Sequence, residues 1–409
     1  MSLDVLFLGK LFPREKEQEI KNKMKTGMQD AANALQWNII DGFEENDFGE
    51  MKIINYLPVD AYPNGYPDKF IEKFTFQHTE KYKSDDINVG CCNIFGIKRF
   101  INSLYFRKYI KKWARKDNGK QKVLLCYTAN SMFLGLAKLA KKIDKNIIVG
   151  CIIADIPEFA TAREVTGLKK IYHTYQVKKC ASLYGLVDKF ILLTKQMAQK
   201  LEIKSPFIVV EGIATTDDTP YDEKFAEQYK NEKYILYSGT LNYKFGIKTL
   251  LDAFQKIDDE NVKLVICGFG EAEQLIKERQ KEDKRIEFLG RVDRTRVLAL
   301  QKNATVLVNP RQNNEEFTKY SFPSKNLEYL SSGVPVIAYK LDGIPDEYDG
   351  YIIYPEDDSE ESLAKEIRKI CSLSDEDRIA LGERAKNFVF DNKNKVRQAQ
   401  RIIDFFNNN

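Results

Sequence analysis

Short, near-continuous runs of Val, Ile and Leu alternate with stretches of helical spacing along most of this 409-residue chain, in two blocks. A run that is apolar at successive positions is buried on both faces of its strand, the habit of a parallel sheet covered by helices on each side. In the first block strands are expected near Val5–Gly9, Asn38–Asp41, Ile53–Leu57, Val123–Tyr127, Ile147–Ala154, Phe190–Thr194 and Phe207–Glu211. Helices are expected at about 16–35, 130–143, 167–186 and 195–201. The polar run 215–232 reads as a linker. The second block restarts at Tyr234–Ser238 and continues through strands at Lys263–Cys267, Ile286–Leu289, Val306–Val308, Val336–Tyr339 and Ile352–Tyr354. The pattern predicts an α/β protein of two Rossmann-like, doubly wound parallel-sheet domains facing across a cleft. They span 1–214 and 233–390, with a helix in 391–409 returning to the first. Ligands of such sheets lie at the carboxyl ends of strands, so the cleft is the expected site.

Composition narrows the function. A formal charge of +4 is small for this length and argues against a nucleic-acid binder held by bulk charge. Seven cysteines are scattered without a C-x-x-C pair, several in apolar runs such as VLLCY and LVICG, the usage of a reducing compartment. Two histidines exclude a His-rich metal site. The start, MSLDVLFLGKLFP, has no basic region before its short apolar run. No apolar stretch approaches the ~20 residues of a membrane span. A cytoplasmic protein is expected.

Five loops at strand ends of the second block carry the chemistry. Gly239 and Thr240 lie in SGTLN, followed by Lys244 and Gly246 before a helix; glycine there lets backbone N–H groups approach a phosphate, although an ordinary strand-to-helix turn uses the same residues. Gly268 opens GFGE, a glycine-rich turn lacking the full G-x-G-x-x-G. Arg291 follows Gly290, and Arg311 follows Asn309-Pro310. The fifth is YSFPSKNLEYLSSGVPVIA, 320–338, a loop, a short helix and a buried strand. Pro323 suits the first helical turn, Gly333 the residue past the end, and Leu327, Leu330 and Val334 a core face. Lys325 is misplaced, because a cation in a first turn meets the positive end of the helix dipole. A bound anion reverses that argument. Glu328, one turn on, is a second polar group that packing does not explain. The bland alternative is an i,i+3 surface ion pair.

On these motifs the second half resembles the nucleotide-sugar domain of GT-B glycosyltransferases, most closely glycosyltransferase family 4. YILYSGTLNYKFGIKTLLDAF is similar to that family's strand, glycine loop and helix. KLVICGFGE, IEFLGRV and ATVLVNP match the next three strands in order, and SFPSKNLEYLSSGVPVIA matches the donor-binding helix. The likeness covers about 234–390; the first half agrees as a domain type, with fainter echoes at Val5–Gly9, Cys151–Pro157 and Phe190–Thr194. A subgroup serving bacterial surface polysaccharides shares FPSK-x-x-EYL.

The resemblance implies transfer of a sugar from a nucleotide-sugar donor, UDP-linked, to a saccharide or lipid-linked acceptor, with retention and without a metal or other cofactor. Lys325 and Glu328 become catalytic candidates, Lys325 on the leaving diphosphate and Glu328 on the ribose hydroxyls. Gly239, Thr240, Lys244, Gly268, Arg291 and Arg311 become donor contacts, as do Tyr320, Ser321, Phe322 and Ser324 around the helix start. Two departures stand out. Many members carry two glutamates eight residues apart; Glu328 matches the second, but Tyr320 stands at the first. Many carry an Arg and a Lys in the first glycine loop, where Thr240 and Phe245 stand here, so Lys325 and Arg311 would supply the phosphate charge. A non-catalytic nucleotide-sugar-binding subunit and a GT-B-fold sugar epimerase remain alternatives.

The first half would take the acceptor. Gly9 ends its first strand, and Asp155 follows the strand in IIADIPEF. Asp155 either orients or deprotonates an acceptor hydroxyl or caps the next segment. His173 reads as a helix-surface or core residue, whereas His78, in FTFQHTEKY, could touch substrate. Residues 97–116 contain eight Lys/Arg and no Asp/Glu, interleaved with Phe100, Tyr105, Phe106, Tyr109 and Trp113. That composition suits an anionic membrane surface or, more plainly, a solvated helix face. Its apolar residues make two stripes, 97/100/101/104 and 106/109/110/113, on different faces.

Overall fold

The computed structural model describes residues 2–25, 30–159, 167–214 and 219–408. The chain forms two compact units, one of the residues up to Glu211 together with those from Lys395 on, the other Gly212–Asn394.

The first unit holds β1 (Leu3–Gly9), β2 (Gly49–Asn55), β3 (Phe70–Ile71), β4 (Phe74–Phe76), β5 (Asp86–Asn88), β6 (Cys91–Cys92), β7 (Gln121–Tyr127), β8 (Ile148–Ile153), β9 (Lys189–Leu192) and β10 (Phe207–Val209). Eight of these make one sheet in the order β10-β9-β8-β7-β1-β2-β5-β4. All seven residues of β1 are buried, its apolar run from Val5 on as a strand covered on both faces requires and Asp4 as the acceptor of the Trp113 indole N–H at 2.7 Å. The pairing is parallel except at the edge, where β4 runs antiparallel to β5. A separate antiparallel pair joins β3 to β6.

Asn38–Asp41 is not a strand. It lies inside a helix, Asp30–Glu45, whose buried positions Asn33, Gln36, Trp37, Ile40 and Phe43 recur three and four apart. Two apolar residues, Ile39 and Ile40, between Asn38 and Asp41 cannot separate strand from helix by themselves. The helix Lys395–Asn407 packs on this one. A Cβ at Gly42 would sit 2.2 Å from the Lys395 carbonyl oxygen, so the two backbones meet where no larger residue fits. Further along, Phe406 fills the space beside Gly150 of β8, where a Cβ would lie 2.5 Å from its ring.

The second unit holds β11 (Lys233–Thr240), β12 (Val262–Phe269), β13 (Ile286–Gly290), β14 (Val306–Asn309), β15 (Val336–Ala338) and β16 (Ile352–Ile353), in the order β13-β12-β11-β14-β15-β16. Every pairing is parallel. Over its described part the stretch read as a linker belongs to this unit. Asp222 caps a helix, Glu223–Glu227, accepting from the Phe225 N–H at 3.0 Å, and Arg296 reaches the same carboxylate at 3.2 Å. Phe225, Ala226 and Tyr229 form a small apolar face, and Tyr229 is buried in the unit's core. Its polar composition hid this three- and four-residue spacing. Residues 215–218 lie outside the described residues.

Candidate functional site

In the second sheet the strand order reverses between β11 and β14, which places the expected crevice at their carboxyl ends. Gly239 and Thr240 end β11, and Asn309 ends β14. Gly246, in the turn after β11, has φ +80°, and a Cβ there would lie 1.9 Å from the Pro310 carbonyl oxygen. The loops after the two strands therefore touch backbone to backbone. Gly268 has a packing reason of its own, since a Cβ would lie 1.8 Å from the carbonyl oxygen of Gly239.

The helix Ser324–Leu330 begins just beyond, with Pro323 at its N-cap rather than inside the first turn. Lys325 Nζ lies 3.0 Å from Glu328 Oε1. The same oxygen accepts from Gln301 Nε2 at 2.6 Å, and Arg294 approaches Oε2 at 3.5 Å. Gln301 sits on the helix Arg294–Asn303 and is 1% exposed. It also donates to Ser238 Oγ at 3.0 Å. Ser238 is tied back to the first helix, because its N–H donates to the Tyr329 hydroxyl at 2.9 Å. Burial works against charge on Glu328, but Lys325, Gln301 and Arg294 outweigh it and hold the carboxyl below its usual range. Glu328 is thus an ionised acceptor in a polar ring joining β11 to two helices. Behind it, Asn309 Nδ2 donates to Asn326 Oδ1 at 2.6 Å, locking the end of β14 to the same helix.

Arg311 and Lys244 converge on a second feature. The guanidinium of Arg311 lies 5.2 Å and 4.7 Å from the ring centres of Phe245 and Phe317, and Lys244 Nζ lies 5.5 Å and 5.3 Å from the same rings. Arg311 also donates to Ser321 Oγ at 2.8 Å. Two cations so gathered beside the helix start are placed to meet an anion. Arg291 lies apart from them, over the exposed ring of Phe269 at 5.1 Å. Tyr320 is half-buried at the end of a short 3-10 turn, Glu316–Tyr320, and Ser324 is exposed. Phe322 is not a ligand contact. It is 5% exposed in the core, its ring 5.2 Å from that of Tyr348, because the segment needs an apolar anchor ahead of its helix.

Sequence reading missed Gln301, Tyr329 and Asn326. Gln301 carries the one available signal, a polar residue three positions from Leu298 on the buried face of its helix.

In the first sheet the order reverses between β1 and β7. Gly9 ends β1 and is buried, and the loop that follows is held by side chains. Asn55 accepts from the Leu11 N–H, Asn33 from the Phe12 N–H and Gln36 from the Lys10 N–H, each at 2.8 Å. Asp155 is exposed just past β8. Burial and then the charge of Asp155 push the Tyr127 hydroxyl, at the end of β7, well up from its ordinary pKa. Thr128, next in the chain, has φ +71°, an uncommon conformation for a branched residue. The segment Asp155 would cap runs into residues outside those described.

His78 does not face substrate. Its side chain is fully buried, with Nδ1 2.7 Å from Asp86 Oδ2 and Nε2 3.3 Å from Glu44 Oε1. Tyr82 donates to the same Glu44 oxygen at 2.7 Å, and Ser84 to Asp86 at 2.6 Å. Burial opposes charge on the imidazole, but the two carboxylates prevail and raise its pKa to about 9.

Both units have the doubly wound parallel sheets of the GT-B fold. The chain aligns over its whole length with all of Anabaena HepE solved in complex with UDP, at a TM-score of 0.62 and 14% identity. Residues 219–388 match the family described as Glycosyl transferases group 1, so this stretch of the second unit is a domain of that family. Among curated relatives, an uncharacterized glycosyltransferase of Methanocaldococcus jannaschii is 29% identical over 150 residues, 35% of this chain and 36% of that protein. A phosphatidyl-myo-inositol mannosyltransferase of Mycobacterium leprae is 32% identical over 113 residues, 27% of this chain and 29% of that one. The matches thus span about a third of those relatives' length.

Proposed function

We propose that this chain is a glycosyltransferase that moves a sugar from a UDP-sugar to a saccharide or lipid-linked acceptor, with retention, in the synthesis of surface polysaccharide. The observation that carries the reading is the ionised Glu328, bonded to Lys325 and Gln301 at the carboxyl edge of a sheet in a Glycosyl transferases group 1 domain. Negative charge grows on the leaving diphosphate as the anomeric C–O bond breaks, and preorganised donors aimed at it are the largest single catalytic term. Lys325, Arg311 and Lys244 would be those donors, and Glu328 would accept from ribose hydroxyls. The protein itself needs no metal in this scheme. UDP is supported as the nucleotide by the HepE complex, and a lipid-linked acceptor by the mannosyltransferase relative.

The first unit would take the acceptor, with Gly9 and Asp155 contributing. Its surface supports a peripheral contact with the inner face of an anionic membrane. Of the helix Ile97–Arg115, the stripe Phe106, Ile110 and Trp113 is buried, whereas Ile97, Phe100, Leu104 and Tyr105 are exposed. The helix Gly167–Ala181 adds exposed Ile171, Tyr172 and Tyr175, and the Tyr172 ring meets that of exposed Phe95 at 5.8 Å. Clustered exposed aromatics beside lysines suit a lipid headgroup layer. Among the described residues no helix is long and apolar enough to cross a membrane.

The test is incubation of the purified chain with a panel of nucleotide sugars, followed by detection of released nucleotide. Slow release of UDP from one sugar, accelerated by a saccharide or lipid-linked acceptor, is expected. Donor isomerisation without release would point to an epimerase. Binding without turnover would point to a non-catalytic subunit, the reading that Tyr320 favours.

A further inference from the structure

We propose that Gln301 is a positioning residue for the nucleotide: it turns the Glu328 carboxylate so that Oε1 is occupied within the protein and Oε2 is presented to ligand hydroxyls. The inference rests on the reading of this helix start as a nucleotide site. Oε1 receives Gln301 Nε2 at 2.6 Å and Lys325 Nζ at 3.0 Å. Among the described residues Oε2 has only Arg294 at 3.5 Å, a side chain 61% exposed. An ionised carboxylate accepts and cannot donate, so the amide nitrogen, not the amide oxygen, must face Glu328. The second Nε2 hydrogen goes to Ser238 Oγ at 3.0 Å. Ser238 in turn is fixed through its N–H to the Tyr329 hydroxyl at 2.9 Å, and Tyr329 follows Glu328 on the helix. The ring therefore closes on the residue it orients.

This arrangement leaves the Gln301 Oε1 atom buried with no donor in reach among the described residues. An amide so placed is a poor choice for packing, since a methionine of similar volume would avoid an unsatisfied oxygen. What glutamine supplies and methionine lacks is the bond to Glu328. The carboxylate it fixes has one oxygen held by nothing stronger than the long contact of the exposed Arg294, which leaves that oxygen able to accept from the hydroxyls of a ribose. Gln301 acts through Glu328 and sets selectivity for ribose over a sugar without those hydroxyls.

Calorimetric titration of the full chain with UDP, and with the dideoxy analogue lacking both ribose hydroxyls, tests this. The wild-type protein is expected to prefer UDP about tenfold, the worth of a hydrogen bond to a charged group. Gln301→Met should bring the ratio near one while leaving dideoxy affinity unchanged, since that probe never uses the carboxylate. Gln301→Glu, which keeps the shape but sets a second carboxylate against Glu328, should also lose the preference. An unchanged ratio in either variant overturns the proposal. So does an equal loss for both probes with a lowered melting temperature, which marks a packing residue. A wild-type protein that binds both probes equally removes the role of Glu328 on hydroxyls. One that binds neither removes the nucleotide reading itself.

Discussion

At Glu328 two explanations compete, and their magnitudes separate them. An i,i+3 ion pair with Lys325 contributes a few tenths of a kcal/mol to a helix, so losing the pair alone should barely move stability. A donor aimed at a leaving diphosphate contributes about 2.7–4 kcal/mol to the transition state. Lys325→Ala is therefore expected to lower turnover ~100–1,000-fold in a steady-state assay with a melting temperature close to wild type, and Glu328→Ala to lose most of its turnover while staying folded, at a stability cost of about 1–3 kcal/mol for the stranded Gln301 amide. Wild-type turnover in either variant returns the pair to surface decoration. His78 gives a second prediction, on pH. Its pKa is about 9 in the fold, against about 6.5 in an unfolded chain. The stabilisation is complete below about pH 6.5 and is lost as pH rises through about 9, at most about 3 kcal/mol. Chemical denaturation of wild type should show this decline, and His78→Gln should flatten it; an equal slope in both would assign the decline to other groups. The Lys325–Glu328 contact was legible in the sequence because residues three apart on a helix share a face. His78 was not, because Glu44 is 34 residues away and the loop around it reads as polar.

At the scale of elements, the second unit's strands were legible because each is a short run rich in Val, Ile and Leu set between polar or helical stretches, although β13 is only partly buried. Asn38–Asp41 was misread because its two apolar residues, Ile39 and Ile40, carry too little period, and the antiparallel edge β4–β5 was missed because each strand is only three residues long. The two stripes of the 97–115 helix were visible in sequence, but only the fold decides which is covered. Phe106, Ile110 and Trp113 turn inward, which leaves the other stripe beside eight cations over 97–116. Co-sedimentation with phosphatidylglycerol vesicles should be strong at low salt. It should weaken as ionic strength rises from about 0.05 to about 0.5 M, where screening shortens to a few Å. Phe100→Ser with Tyr175→Ser should reduce binding at every salt concentration without altering stability, since both side chains are exposed. Binding that ignores both salt and these substitutions would remove the membrane role.

The whole molecule is organised by a chain that leaves its first unit after Glu211 and re-enters it at Lys395. Ala399, Ile402, Ile403 and Phe406 of the returning helix are buried there. Phe406→Ala is expected to destabilise that unit by about 3–5 kcal/mol, a typical cost for an aromatic core residue. Two-transition thermal melts would show the first unit's transition falling and the second unit's unchanged; a shared drop would mean that the units unfold together. Domain type followed from apolar patterning, whereas the closeness of the returning helix depends on Gly42 and Gly150, whose role appears only once their distant neighbours are placed. The discontinuity also orders the protein's birth. On the ribosome the second unit is continuous and can close as soon as Asn394 has emerged, while the first must wait for a helix made some 180 residues later than its own last strand. During that interval the faces of Asp30–Glu45 and β8 that the returning helix covers stay open to water, so a nascent chain stalled late in synthesis would be a client for chaperones.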